Sequence, residues 1–158
     1  MRLTQLIKSL GTNHTECALK DFNVKGISCN SKEVLANYIF VAIKGNDQDG
    51  HEFIASAIKQ GAGAVVIEKS KLKDYKRSAQ ACFISVLDTR KALARLAVGF
   101  YANPSSKIKI IGITGTNGKT TITYLIEAIL KKAGFLPAVI GTINYRFKHK
   151  IFTAKNTT

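Results

Sequence analysis

A chain of 158 residues and 17.2 kDa has room for one ordinary domain, or for a small domain and the opening of a second. Its 46% hydrophobic and 22% charged residues, with two prolines and twelve glycines, exclude a disordered or fibrous chain, and no apolar run approaches the ~20 residues of a membrane-spanning helix. Three cysteines, Cys17, Cys29 and Cys82, form an odd set without a C-x-x-C pair or a nearby histidine, which argues against a disulfide framework or a zinc site and for a reducing, cytoplasmic setting.

The net charge of +14 is unevenly divided: residues 1–90 carry 13 basic and 9 acidic side chains, residues 91–158 carry 11 and 1. Phosphate neutralisation on nucleic acid would use such an excess, and so would anionic small molecules. The basic residues are mostly single lysines without aromatic or arginine-rich clusters, so a lysine-rich background explains them and no nucleic-acid partner is expected.

Along the chain the hydrophobic period alternates between 3.6 and 2 residues. Leucine and isoleucine at 3, 6, 7 and 10 predict an opening helix. Phe22–Ser28 and Tyr38–Ile43 read as strands, Glu52–Gln60 as a helix stopped by Gly61, and Ala64–Glu68 as the next strand. After the polar stretch Lys69–Gln80 come a strand at Cys82–Leu87 and a helix capped by Asp88 or Thr89, ended by Asn103 and Pro104. From Lys107 the pattern is strand, glycine turn, helix over Thr120–Ala133, a stop at Gly134 and a strand over 138–143. This predicts an α/β protein: a small amino-terminal α/β domain over 1–88, a linker helix and turn over 89–106, and the start of a parallel-sheet domain over 107–158.

The chemistry concentrates in Gly112-Ile-Thr-Gly115-Thr-Asn-Gly118-Lys119-Thr120-Thr121. A strand running into a glycine bend and then a helix turns backbone N–H groups and the positive end of the helix dipole toward one point, which suits a triphosphate. Lys119 would reach the β- and γ-phosphates, and the Thr120 hydroxyl would ligate the bridging magnesium. The spacing is not a strict Walker A motif, because Gly112 lies one residue too far from Gly118 and Ile113 takes the first-glycine position.

That loop, G-T-N-G-K-T-T, resembles the ATP loop of the Mur ligases and their relatives the folylpolyglutamate synthases. Ser28-Cys-Asn-Ser31-Lys32, Phe40-Val-Ala-Ile-Lys-Gly45, Asp49-Gly-His-Glu-Phe-Ile54 and Gly61-Ala-Gly-Ala-Val-Val66 are similar, in order and spacing, to the amino-terminal domain of the same family. So are Phe100-Tyr101, Pro104-Ser105, Ile140-Gly-Thr142 and Asn156-Thr-Thr158. The resemblance covers nearly the whole chain. It is strongest to the branch that adds a diamino acid, 2,6-diaminopimelate or lysine, to UDP-N-acetylmuramoyl-L-Ala-D-Glu during peptidoglycan synthesis.

The resemblance implies roles. Gly115, Thr116, Asn117, Gly118, Lys119, Thr120 and Thr121 would bind ATP, with Lys119 catalytic and Thr120 on Mg2+. Ser31 would contact the uridine diphosphate, with the loop Gly45–Gln48 beside it, and Asn156, Thr157 and Thr158 would receive the muramoyl dipeptide. Asn30 and Lys32 replace the Asp and Arg usual beside that serine, and Lys32 can still meet a phosphate as a point charge. The implied reaction transfers a phosphoryl group from ATP to the D-glutamate carboxylate, after which an amine displaces phosphate. After Asp88 the only carboxylate is Glu127, about two turns beyond Thr120 and expected to face solvent. The family's acidic metal ligands, its modified lysine and the domain for the incoming amino acid would follow Thr158, so the resemblance implies an amino-terminal piece, inactive as a ligase alone. The alternative is a free-standing nucleotide-binding or basic nucleic-acid-binding module.

Other candidates read as structural. His51 is a helix-start or packing histidine, His149 lies in the hairpin tip Lys148-His-Lys150, Cys29 is a packed thiol, and Tyr145-Arg146-Phe147-Lys148 fits a hairpin strand with one face packed.

Overall fold

The computed structural model describes residues 1–158 except 12–14, 17–20, 47, 76–79 and 155–158. It divides into two compact units, Met1–Ile108 and Lys109–Thr158.

In the first unit the elements are α1 (Leu3–Lys8), β1 (Thr15–Glu16), β2 (Gly26–Ser28), β3 (Tyr38–Val41), α2 (Ile54–Lys59), β4 (Ala62–Glu68), β5 (Cys82–Val86) and α3 (Thr89–Phe100). The sheet order is β1-β5-β4-β3-β2, with β2 to β5 mutually parallel and β1 antiparallel on the β5 edge. Parallel strands are covered on both faces, which is why β3, β4 and β5 read as unbroken apolar runs. Side chains alternate between faces. Ile39, Val41, Ala64, Val66, Ile84 and Val86 pack against Leu3, Leu6 and Leu10 of the α1 region and Ala92 and Leu96 of α3. Phe40, Val65, Ile67 and Phe83 pack on the other side against Val34, Ile54 and Ala57. Large aliphatic side chains buried this completely contribute roughly 1.5–3 kcal/mol each.

The predicted helix over 52–60 forms as a 3-10 turn, Gly50–Phe53, leading into α2. It stops where Gly61 takes φ +104 and its N–H donates to the Ile58 carbonyl at 2.9 Å, a left-handed stop that glycine adopts without strain. Asp88 caps α3, its Oδ1 accepting from the Lys91 N–H at 3.0 Å. The far end unwinds through Ala102 (φ 56) and Asn103 (φ 49) into Pro104.

The second unit holds α4 (Lys119–Lys132) and an antiparallel meander of β6 (Ala138–Ile140), β7 (Asn144–Phe147) and β8 (Lys150–Thr153). Here two expectations change. Lys107–Thr114, read as a strand, enters no ladder, and β6 pairs antiparallel with β7 instead of lying in a parallel sheet. The cause is connectivity: β6 meets β7 through the short turn Gly141–Ile143, whereas a parallel partner needs a long crossover and a neighbouring strand. The apolar side chains of the unpaired Lys107–Thr114 segment stay open, with Ile110 67% exposed and Ile111 58%.

Two cysteines also depart from expectation. Cys29 is a free, exposed thiol rather than a packed one, and Cys82 is disulfide-bonded. No helix among the described residues is long and apolar enough to cross a membrane.

Candidate functional site

In the second unit the glycine loop is shaped as the sequence suggests. Gly115 (φ +149) and Gly118 (φ +77) hold backbone conformations that side-chain-bearing residues rarely adopt. A Cβ at either would meet nothing closer than 3.7 Å, so glycine is required there for conformation and not for space. Gly118 is also the N-cap of α4, and no side chain caps that end. The free N–H groups of the first turn and the helix dipole therefore remain available to an anion.

Lys119 folds back over the loop, its Nζ donating to the carbonyls of Gly115 at 2.5 Å and Thr116 at 3.3 Å. Those bonds hold the ammonium at the mouth of the loop, where phosphate oxygens can replace the carbonyls as acceptors. Lys119 and Thr120 open into a cavity of about 310 Å³ whose other lining includes Ile113, Thr123, Tyr124, Val139, Ile140 and the turn Gly141–Tyr145. The donor set, with glycine N–H groups, an ammonium and an uncapped helix end, fits the phosphates of ATP. The Thr120 hydroxyl is the side-chain oxygen at this end of α4 that could hold a magnesium ion.

Glu127 does not face solvent. It is only 7% exposed, with Oε1 2.8 Å from Lys131 Nζ and Oε2 2.5 Å from Arg146 Nη2. The helical repeat places Thr120, Tyr124, Glu127 and Lys131 on one stripe, and Arg146 of β7 meets the middle of that stripe at Tyr124 and Glu127. Two cations thus hold the sole carboxylate of this region away from any metal role.

In the first unit Ser31 sits just beyond the carboxyl end of β2. Asn30 caps the 3-10 turn Ser31–Glu33, its Oδ1 accepting from the Lys32 N–H at 3.1 Å, and Ser31 itself is 9% exposed. The neighbouring loop after β3 is closed by Gly45 N–H donating to the Gln48 carbonyl and Gly50 N–H to the Ile43 carbonyl, both at 2.9 Å. Arg90, at the start of α3, donates from Nη2 to the Lys44 carbonyl at 2.9 Å. Ends of neighbouring parallel strands place Ser31 and this loop on one edge of the sheet, the usual place for ligands in open α/β sheets.

His51 anchors that loop from beneath. It is 3% exposed; Nδ1 lies 2.5 Å from Asp49 Oδ1 and Nε2 accepts from the Glu68 N–H at 3.4 Å, which puts the ring proton on Nδ1. Tyr75 Oη donates to the His51 carbonyl at 2.7 Å. The N–H and ring of His51 bonded to Asp49 hold its carboxyl below the usual aspartate range. The histidine is a packing residue, as its sequence setting suggests.

Of the expected site residues, the structure gathers Gly115–Thr121 into one loop and places Ser31 at the sheet edge of the other unit. Asn156, Thr157 and Thr158 lie outside the described residues. Sequence reasoning missed Arg90 and the Tyr124–Glu127–Arg146 cluster. Their partners lie 46 residues away for Arg90 and across a hairpin for Arg146, so spacing along the chain carried no signal for either.

Comparison with known proteins gives these shapes a family. A model described as Mur ligase family, catalytic domain, matches residues 23–101, half of the chain, and one described as Mur ligase middle domain matches 113–158. A UDP-N-acetylmuramoyl-L-alanyl-D-glutamate--2,6-diaminopimelate ligase of Aquifex aeolicus (strain VF5) is 51% identical over 135 residues, 85% of this chain and 27% of the relative. A ligase of the same description from Clostridium tetani (strain Massachusetts / E88) is 40% identical over 158 residues, 99% of this chain and 32% of the relative. Among solved structures, MurF from Acinetobacter baumannii matches with TM-score 0.62 at 23% identity, covering 89% of this chain and 30% of that one. The MurF ligase of Thermotoga maritima, solved in complex with ADP, matches with TM-score 0.54 at 30% identity, covering 75% and 25%. The chain spans about a quarter to a third of the length of these relatives. With one family model over residues 23–101 and a second beginning immediately before the glycine loop, the chain belongs to the Mur ligase family.

Proposed function

We propose that this chain carries the UDP-substrate subsite and the ATP loop of a cytoplasmic ligase that adds a diamino acid to UDP-N-acetylmuramoyl-L-Ala-D-Glu. The observation that carries the reading is the glycine loop, with Lys119 held over the uncapped end of α4. The identity to relatives named as 2,6-diaminopimelate ligases supports the choice of reaction.

In this reading Met1–Ile108 holds the nucleotide-sugar end of the substrate. Ser31 and the Gly45–Gln48 loop meet the uridine diphosphate, and Lys32 adds a point charge for a phosphate. Gly115–Thr121 receives ATP: backbone N–H groups take the phosphate oxygens, and Lys119 exchanges the carbonyls of Gly115 and Thr116 for the β- and γ-phosphates. There its charge offsets the negative charge that develops as the γ-phosphoryl group passes to the D-glutamate carboxylate. The amine of the diamino acid then attacks the acyl carbon, the new C–N amide bond replacing the C–O bond to phosphate, which leaves as inorganic phosphate as the amine gives up a proton. Thr120 would hold Mg2+, which when bound supplies charge neutralisation across the β- and γ-phosphates. Asn156, Thr157 and Thr158 receive the muramoyl dipeptide. The chain spans about a quarter to a third of its relatives' length, so the reading concerns binding of these two ligands, and binding is what the test measures.

Calorimetry of the chain with Mg·ATP, and separately with UDP-N-acetylmuramoyl-L-Ala-D-Glu, tests this. Lys119→Ala removes charge-assisted bonds of about 1.5–3 kcal/mol, so ATP affinity should fall by about tenfold or more while the second ligand binds as before. Equal loss of both ligands would overturn the assignment of separate subsites.

A further inference from the structure

The buried carboxylate of α4 has no part in the reaction proposed above, yet it is the only one after Asp88 and it is doubly paired. Glu127 Oε2 meets Arg146 Nη2 of β7, and the Arg146 guanidinium carbon lies 3.9 Å from the centre of the Tyr124 ring. Arg146 is thereby gripped on two sides by side chains one helical turn apart. Strand alternation puts Asn144 on the same face of β7 as Arg146, and Asn144 belongs to the turn that roofs the cavity over Lys119 and Thr120. Asn144 Oδ1 and Arg146 Nε are buried without hydrogen-bond partners.

We propose that Glu127 and Arg146 are positioning residues of the nucleotide site: their ion pair, with Tyr124 under the guanidinium, fixes β7 against α4 and so sets the Gly141–Asn144 turn over Lys119 and Thr120. An apolar pair of similar volume would hold hairpin to helix at least as firmly, because burying two charges costs desolvation. A directional pair instead fixes where along α4 the strand sits, and a slide of one residue would carry Asn144 and its turn about 3.3 Å along the helix, off Lys119 and Thr120. The inference rests on the ATP reading of the loop.

The test uses the 158-residue chain, with thermal unfolding and Mg·ATP affinity measured on the same variants. Glu127→Gln leaves the half-buried Arg146 without its counter-charge and should lower both. The double variant Glu127→Leu with Arg146→Met removes both charges; its unfolding temperature should return to the wild-type value while ATP affinity stays about tenfold weaker. Arg146→Lys, which keeps the charge but loses the planar fork and its stacking, should fold normally and bind ATP severalfold more weakly. Recovery of affinity together with stability in the double variant, or wild-type affinity in Arg146→Lys, would reduce the pair to packing and overturn the proposal. Failure of the wild-type chain to bind Mg·ATP would overturn the nucleotide reading, and with it any site to position.

Discussion

Gly50→Ala tests how the substrate loop is built. A Cβ at Gly50 would lie 2.5 Å from the Ile43 carbonyl oxygen and 2.7 Å from the Ile43 nitrogen. Both are backbone atoms, at the point where the Gly50 N–H donates to that same carbonyl. No side-chain rotation can relieve the clash, so the loop from Ile43 to Asp49 must shift and stretch or break the Gly50–Ile43 bond. Overpacking of this kind costs about 1–3 kcal/mol, which in a unit of this size lowers the unfolding temperature by about 4–8 °C per kcal/mol. Differential scanning calorimetry reads that drop, and affinity for the UDP-linked substrate should fall with it, since the loop that moves is the one expected beside Ser31. Gly112→Ala serves as the contrast, because its Cβ would meet nothing within 4 Å and should leave stability nearly unchanged. Unfolding of Gly50→Ala within about 0.5 kcal/mol of wild type would refute the argument that backbone contact, and not sequence habit, demands glycine there.

Three other outcomes follow from the same packing. Leu96, fully buried in α3 against the sheet, should cost about 2–5 kcal/mol when cut to alanine, measured by urea unfolding; a smaller loss would mean that α3 is docked weakly. Asp49, Asp88 and Asp21 accept backbone N–H bonds from His51, Lys91 and Thr4, which hold their carboxyls below the ordinary aspartate range. The folded state therefore releases these protons more readily than the unfolded chain, so their stabilisation is complete above about pH 4. It is lost as pH falls through the lowered folded values, and unfolding temperatures recorded downward from pH 6 should drop in that range, less steeply in Asp49→Asn. Arg90→Ala, which removes the bond to the Lys44 carbonyl, should weaken the UDP-linked substrate and leave ATP binding intact; an unchanged substrate affinity would show that Arg90 does not hold the loop.

How much of this was legible in the sequence depended on whether a signal was local. Apolar runs such as Ala64-Val-Val-Ile67 announced buried parallel strands, and Gly118-Lys119-Thr120 announced an anion loop, because each needs only neighbouring residues to fix its form. The strand expected over Lys107–Thr114 was misjudged because its pattern states a preference that only a pairing partner can realise. Glu127 was misplaced in solvent because its helix position carries no sign of what lies opposite. Arg146 answers it from β7, nineteen residues on, through a hairpin whose register the sequence does not spell out. Cys82 was misread for a similar reason: a disulfide depends on which thiols the fold brings together.

The central claim is that this chain combines a Mur-type UDP-substrate subsite with an ATP loop. Its most direct test is thermal unfolding with and without UDP-N-acetylmuramoyl-L-Ala-D-Glu, with heparin as the polyanion control. At about 100 times its dissociation constant a specific ligand adds about 2.7 kcal/mol to the unit that binds it. The account predicts a rise of that order for the first unit, persisting at a salt concentration that abolishes any effect of heparin. An unchanged unfolding temperature with the muramoyl dipeptide, beside a salt-sensitive rise with heparin, would contradict it and return the excess of lysine to a nucleic-acid role.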